Sequence, residues 1–217
     1  SLVIQARDAV PQAAPVVVMA ALQPPLTTPR KHIALKLLVD CSGSMGGDSI
    51  ASARVALHGA LAGLTEHDQV SVSRFGSTVE HVLAPSASTP QTLRRLKPAV
   101  DAIDATLGGT EMEAALRAVF ALPVPRDCVG ADVLLVTDGE IWQAEEMTAA
   151  ARASGHRVFA IGVGSSPAEG VLRALAEATG GACEFATPGE ALEAAAGRML
   201  VRIRQQPWRD ARIDWGC

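Results

Sequence analysis

The run Leu35 to Gly47, LKLLVDCSGSMGG, constrains this chain more than any other. A short apolar stretch that stops at an acid, two serines and glycines reads as a buried strand leaving its sheet through a tight turn. Its spacing puts Asp40, Ser42 and Ser44 on one side of that turn, three oxygen donors around one point. Such a point suits a hard cation. Mg2+ takes oxygen ligands in near-octahedral geometry and gives up its waters reluctantly, so hydroxyls and a few carboxylates hold it without cancelling its charge. Two further pieces have the composition to close this shell: Thr110 in LGGTEMEAAL, and Asp138 in VLLVTDGE. Taken singly, each piece is an ordinary helix-capping or turn sequence. Together they fall at strand ends or helix starts of one rim.

The rest of the chain supplies that rim. Apolar runs predict strands at His32–Val39, at VSVSRF with a hairpin return over Thr78–Leu83, at Ala131–Thr137, at Val158–Val163 and at Ala182–Phe185. Helical periodicity predicts Ile50–Leu64 with Asp48 or Ser49 as N-cap, Thr89–Ile103 interrupted by Pro98, and Glu111–Leu122. Further helices are predicted over 143–153, after Pro167, and from Pro188 to about Ile203. Strands alternating with helices imply right-handed crossovers and an α/β, doubly wound, mostly parallel sheet with one antiparallel edge strand and helices on both faces. Ligands of such sheets gather outside the carboxyl ends of the strands, where strand order reverses. Asp40 and Asp138 both end strands there.

The set Asp40-X-Ser42-X-Ser44, Thr110 and Asp138 resembles the metal-ion-dependent adhesion site (MIDAS) of von Willebrand factor A (VWA) domains, and the resemblance runs from about Lys31 to Leu200. It implies the Rossmann-like VWA fold, with Ser42 and Ser44 ligating directly and Thr110 directly or through water. Asp40 and Asp138 then balance charge, at least one of them through a bound water. It also implies a partner protein whose Asp or Glu takes the sixth position. Mg2+ is the expected cofactor, with Mn2+ or Ca2+ as alternative occupants.

In a subset of the family an A domain follows a small β-rich module named for the inter-alpha-trypsin inhibitor heavy chains (VIT). The lead-in, with VVVMAAL at 16–22 among five prolines, is similar to that module's last strand and linker. The expected organisation is a lead-in over 1–30, the VWA domain over 31–204 and an extension over 205–217, and a start at Ser1 without an initiator Met fits an expected fragment of a longer polypeptide.

Composition narrows the function further. Aromatic residues make up 3% with no Tyr, which does not suit stacking of bases or sugars, and a net charge of -4 gives no broad basic face for nucleic acid. Arg94, Arg95 and Lys97 form one small basic cluster and Arg198, Arg202 and Arg204 another, both expected on solvated helix faces. The four cysteines are dispersed without zinc spacing, so free thiols and a reducing, cytoplasmic setting are expected, with Cys41 pointing into the core. No run of about 18 apolar residues is present to suggest a membrane span.

Enzyme readings lack their chemistry. The haloacid-dehalogenase phosphatases place a second acid two residues after the first, but here that position is Ser42. The sequence around Ser42 and Ser44 is not a GxSxG elbow, none of the five histidines lies in a recognisable partner motif, and the glycine turns lack the dinucleotide and phosphate-loop patterns. The leading expectation is therefore a non-enzymatic binding module. A structural scaffold within a larger polypeptide, with the metal serving stability, is the alternative, and a metal-dependent hydrolase a distant third. Oligomeric state is not legible.

Overall fold

The structure is a computed structural model that describes residues 32–126, 128, 130–139, 144–164, 168–185 and 192–205. The lead-in strand, Pro167, Pro188 and the tail lie outside the described residues. Six strands, β1 (Ala34–Asp40), β2 (Gln69–Phe75), β3 (Val79–Ala87), β4 (Asp132–Thr137), β5 (Arg157–Gly162) and β6 (Cys183–Phe185), form one sheet in the order β3-β2-β1-β4-β5-β6. Every pairing is parallel except β2 with β3, as the hairpin signal predicts.

Central strands of such a sheet are covered on both faces, so they read as continuous apolar runs rather than alternating ones. In β1, Leu35, Leu37 and Val39 pack with α1 (Asp48–Ala62), α2 (Pro90–Asp101) and α6 (Leu192–Arg204). Leu38 points the other way, to α3 (Met112–Phe120), α4 (Ala144–Ser154) and α5 (Glu169–Thr179). Each fully buried Leu contributes about 1.5–3 kcal/mol relative to an exposed one. Cys41 lies wholly within the first of these cores, and the thiols of Cys41 and Cys183 are free.

Two local expectations change. The N-cap of α1 is Gly47, with no side-chain cap bond, so neither Asp48 nor Ser49 caps it. Pro98 does not interrupt α2, which runs through it. The bond that Pro98 cannot donate would have gone to the Arg94 carbonyl, and both residues are exposed, where solvent can replace the missing donor.

At the sheet pole where strands begin, helix C-termini leave carbonyls unsatisfied, and buried cations answer them. Lys36, only 2% exposed, donates from Nζ to the carbonyls of Val119 at 2.9 Å and Leu122 at 2.8 Å, which end α3. Burial lowers its pKa to about 8. Arg157 bonds Asp132 at 2.7 Å and the Ile203 carbonyl at 2.6 Å, which closes α6. Neither role is legible in an apolar run that happens to contain a lysine.

His156 Nε2 stands 2.9 Å from Lys36 Nζ and Nδ1 3.1 Å from the Ser154 carbonyl. An ammonium has no lone pair, so Nε2 accepts and Nδ1 carries the proton. Burial, then the Lys36 charge, hold the His156 pKa below 6.5. The folded form thus resists protonation more than the unfolded one. Its stability contribution is full above 6.5 and is lost as pH falls through the lower folded value. Urea midpoints at about pH 7.5 and about pH 5.5 will show a fall in wild type that His156→Gln reduces. An equal fall in both proteins would sink this account.

Candidate metal centre

The sheet reverses its winding between β1 and β4: β2 and β3 lie to one side, β5 and β6 to the other. Ligand crevices of doubly wound sheets open at such a point. Asp40 closes β1 and is fully buried, and Asp138 directly follows β4 and is half-buried. The register Val39 to Val136 sets Thr137 beside Asp40, and Thr137 Oγ1 donates to Asp40 Oδ2 at 2.7 Å. The Ser42 N–H donates to the other oxygen, Oδ1, at 2.9 Å.

Past Asp40 the chain makes a 3-10 turn, Gly43–Met45, that brings the serines back over the strand end. Met45, fully buried, anchors it. Ser44 Oγ donates to Asp138 Oδ1 at 3.1 Å and lies 3.1 Å from Ser42 Oγ. Because Ser44 spends its proton on Asp138, Ser42 donates to Ser44, and the three form one directed chain. Four of the five residues singled out in the sequence are thus joined through side chains or an adjacent backbone group.

Thr110 arrives by another route. The loop before α3 lies against the 3-10 turn through Gly43 N–H to the Gly108 carbonyl at 2.8 Å and Leu107 N–H to the Cys41 carbonyl at 2.9 Å. Thr110 is half-buried in this loop, and the cap position of α3 is Glu111, which makes no side-chain cap bond. Ser42, at the cap position of the 3-10 turn, makes none either. The helix-capping explanation for these hydroxyls therefore fails at both positions.

The donor set suits a hard divalent cation. It offers two carboxylates and three hydroxyls, and among the described residues neither carboxylate is ion-paired with a lysine or arginine. Burial raises the Asp40 pKa, the bonds from Thr137 and Ser42 oppose that rise, and the Asp138 charge adds to it. Positive charge is what this pair lacks. Among the described residues no group of three or more His, Cys, Asp or Glu could hold a metal, and the oxygen donors gathered at this rim are of the kind a hard cation takes. Sequence reasoning missed Thr137, since a threonine ending an apolar strand carries no local sign of the acid beside it.

A family model described as von Willebrand factor type A domain matches residues 33–185. The chain belongs to this family. A von Willebrand factor A domain-containing protein of Dictyostelium discoideum is 30% identical over 185 residues, 82% of this chain and 20% of its own length. The human von Willebrand factor A domain-containing protein 5A is 30% identical over 145 residues, 65% of this chain and 18% of its own length. The chain thus spans about a fifth of the curated relatives it matches.

Among solved structures, a von Willebrand factor type A protein from Catenulispora acidiphila superposes with a TM-score of 0.68 at 22% identity, covering 80% of this chain and 43% of that one. Proximal thread matrix protein 1 of the mussel byssus, in a structure with a zinc-occupied MIDAS motif, gives 0.59 at 18% identity, covering 76% and 46%. At these identities the likeness carries the fold alone. The VWA fold of this chain, six strands with one antiparallel and helices on both faces, agrees with the architecture its sequence predicts.

Proposed function

We propose that this VWA domain is a divalent-cation-dependent protein-binding module, with Asp40, Ser42, Ser44, Thr110 and Asp138 holding Mg2+ and a partner's Asp or Glu completing its coordination. The observation that carries the reading is the directed chain Ser42 to Ser44 to Asp138, closing at the switch point on a buried Asp40 with no basic counterpart among the described residues. Once bound, the cation supplies an electrophilic centre that exchanges water for an outside carboxylate oxygen. The protein's own part is orientation: Thr137 and the Ser42 N–H fix both oxygens of Asp40, and Ser44 fixes Asp138.

A binding role rather than turnover is supported by the histidines, the usual proton carriers of hydrolysis. His58 is engaged with Asp101, His81 with Ser73 and His156 with Lys36, and none of these partners is a candidate ligand. The VIT-like lead-in over 1–30 and the extension over 205–217 fit a domain set within a longer polypeptide, as in relatives about five times its length.

Calorimetric titration of Mg2+ and Mn2+ into metal-free protein tests this reading. Wild type is expected to bind saturably, and Ser42→Ala and Asp138→Ala to bind at least about 100-fold more weakly. Uptake indifferent to both substitutions would refute the site. Capture of a carboxylate-bearing partner that survives chelation while the melting temperature falls would favour the scaffold role instead.

A further inference from the structure

The loop Leu107–Glu111 that carries Thr110 is held from two sides. On one side it bonds the turn after β1, through Cys41 and Gly43. On the other it bonds the turn between β2 and β3: Ser77 N–H to the Leu107 carbonyl at 2.6 Å, Glu111 N–H to the Gly76 carbonyl at 2.9 Å, and Gly109 N–H to Ser77 Oγ at 2.8 Å. These contacts bracket Thr110, with one immediately before it and one immediately after. All but one are main chain to main chain, available to any residue type. The exception is the Ser77 hydroxyl.

The loop is also shaped around that hydroxyl. Gly108 has φ +76°, and a Cβ there would stand 2.9 Å from Ser77 Oγ; one on Gly109 would stand at 3.3 Å. Two consecutive glycines thus leave room for one oxygen. A Cβ on Gly76 would overlap the Leu107 carbonyl, which shows how closely the turn and the loop are pressed together.

We propose that Ser77 is a positioning residue of the metal centre: by accepting the Gly109 N–H it fixes the loop from which Thr110 reaches the cation. This rests on the metal-binding reading above. Ser77 itself is exposed and touches none of the candidate ligands by any hydrogen bond among the described residues, so it acts through the loop. Groups that orient ligands from outside the coordination sphere set metal affinity by about 10–100-fold.

The test compares Mg2+ titrations of wild type, Ser77→Ala and Ser77→Thr with their metal-free melting temperatures. Ser77→Ala is expected to weaken Mg2+ by about tenfold while the metal-free protein melts within about 2 °C of wild type. Ser77→Thr, which keeps the hydroxyl, restores affinity. Amide exchange in the metal-free protein adds a second readout, with Gly109 N–H exchanging faster in Ser77→Ala. Affinity within twofold of wild type in Ser77→Ala overturns the proposal, as does a loss that Ser77→Thr fails to recover. Wild-type protein that takes up no Mg2+ overturns the metal-binding reading and this proposal with it.

Discussion

Asp68→Ala is expected to destabilise the protein by about 3–5 kcal/mol, a fall in Tm of roughly 6–20 °C. Asp68 is fully buried in the connection between α1 and β2. Its Oδ1 accepts from the Ile33 N–H at 3.1 Å and from Arg204 at 3.2 Å. Its Oδ2 accepts from the Thr65 N–H at 2.7 Å, the Thr65 hydroxyl at 2.9 Å and Arg204 at 2.6 Å. One carboxylate thereby ties the entry to β1, the end of α1 and the last turn of α6. Removing it strands two backbone N–H groups and a guanidinium whose side chain is only 19% exposed. A broken buried pair costs more than the pair itself is worth, because the surviving charge stays desolvated.

Burial pushes the Asp68 pKa up, but Arg204, Thr65 and Ile33 together outweigh it and leave it below 3.8. The contribution is therefore complete above that value and lost as acid carries the pH down through the lower folded one. Urea unfolding at neutral pH reads the effect directly, and a loss under about 1 kcal/mol would mean that Arg204 and the amides find water instead.

The second large effect is expected from the metal. At a Mg2+ concentration about 100-fold above its dissociation constant, binding adds about 2.7 kcal/mol to the folded state and raises Tm by roughly 5–11 °C. Asp40→Asn should abolish that rise. The same substitution also removes a buried charge that burial disfavours and Asp138 disfavours further, so the metal-free variant should melt no lower than metal-free wild type. An amide oxygen can still accept from Ser42, and an amide N–H can meet Thr137. Opposite signs in the two states are the mark of a carboxylate kept for a cation rather than for packing. Thermal scans of both proteins with Mg2+ and with chelator measure all four values. A metal-free Asp40→Asn protein far below wild type would show that the carboxylate serves the fold itself.

The contrast between these aspartates shows where local sequence suffices. Asp40 announces itself, since an acid, two serines and glycines directly after an apolar run form a pattern complete within a few residues. The antiparallel edge strand was legible for the same reason, because a hairpin turn joins neighbours in the chain. Asp68, by contrast, reads as an ordinary turn residue. Its partner Arg204 lies 136 residues away in a cluster expected to be solvated, and only Arg198 and Arg202 of that cluster prove exposed.

The sequence by itself determined the order of strands and helices, the fold class and the residues proposed here to hold a cation, because periodicity and turn chemistry are short-range properties. The tertiary structure alone decided which groups serve them. Thr137 reaches Asp40 across 97 residues, and Lys36 reaches the end of α3 across 83. Both contacts exist because β4 inserts beside β1 and packs α3 over it, and that placement is a property of the closed sheet rather than of any segment.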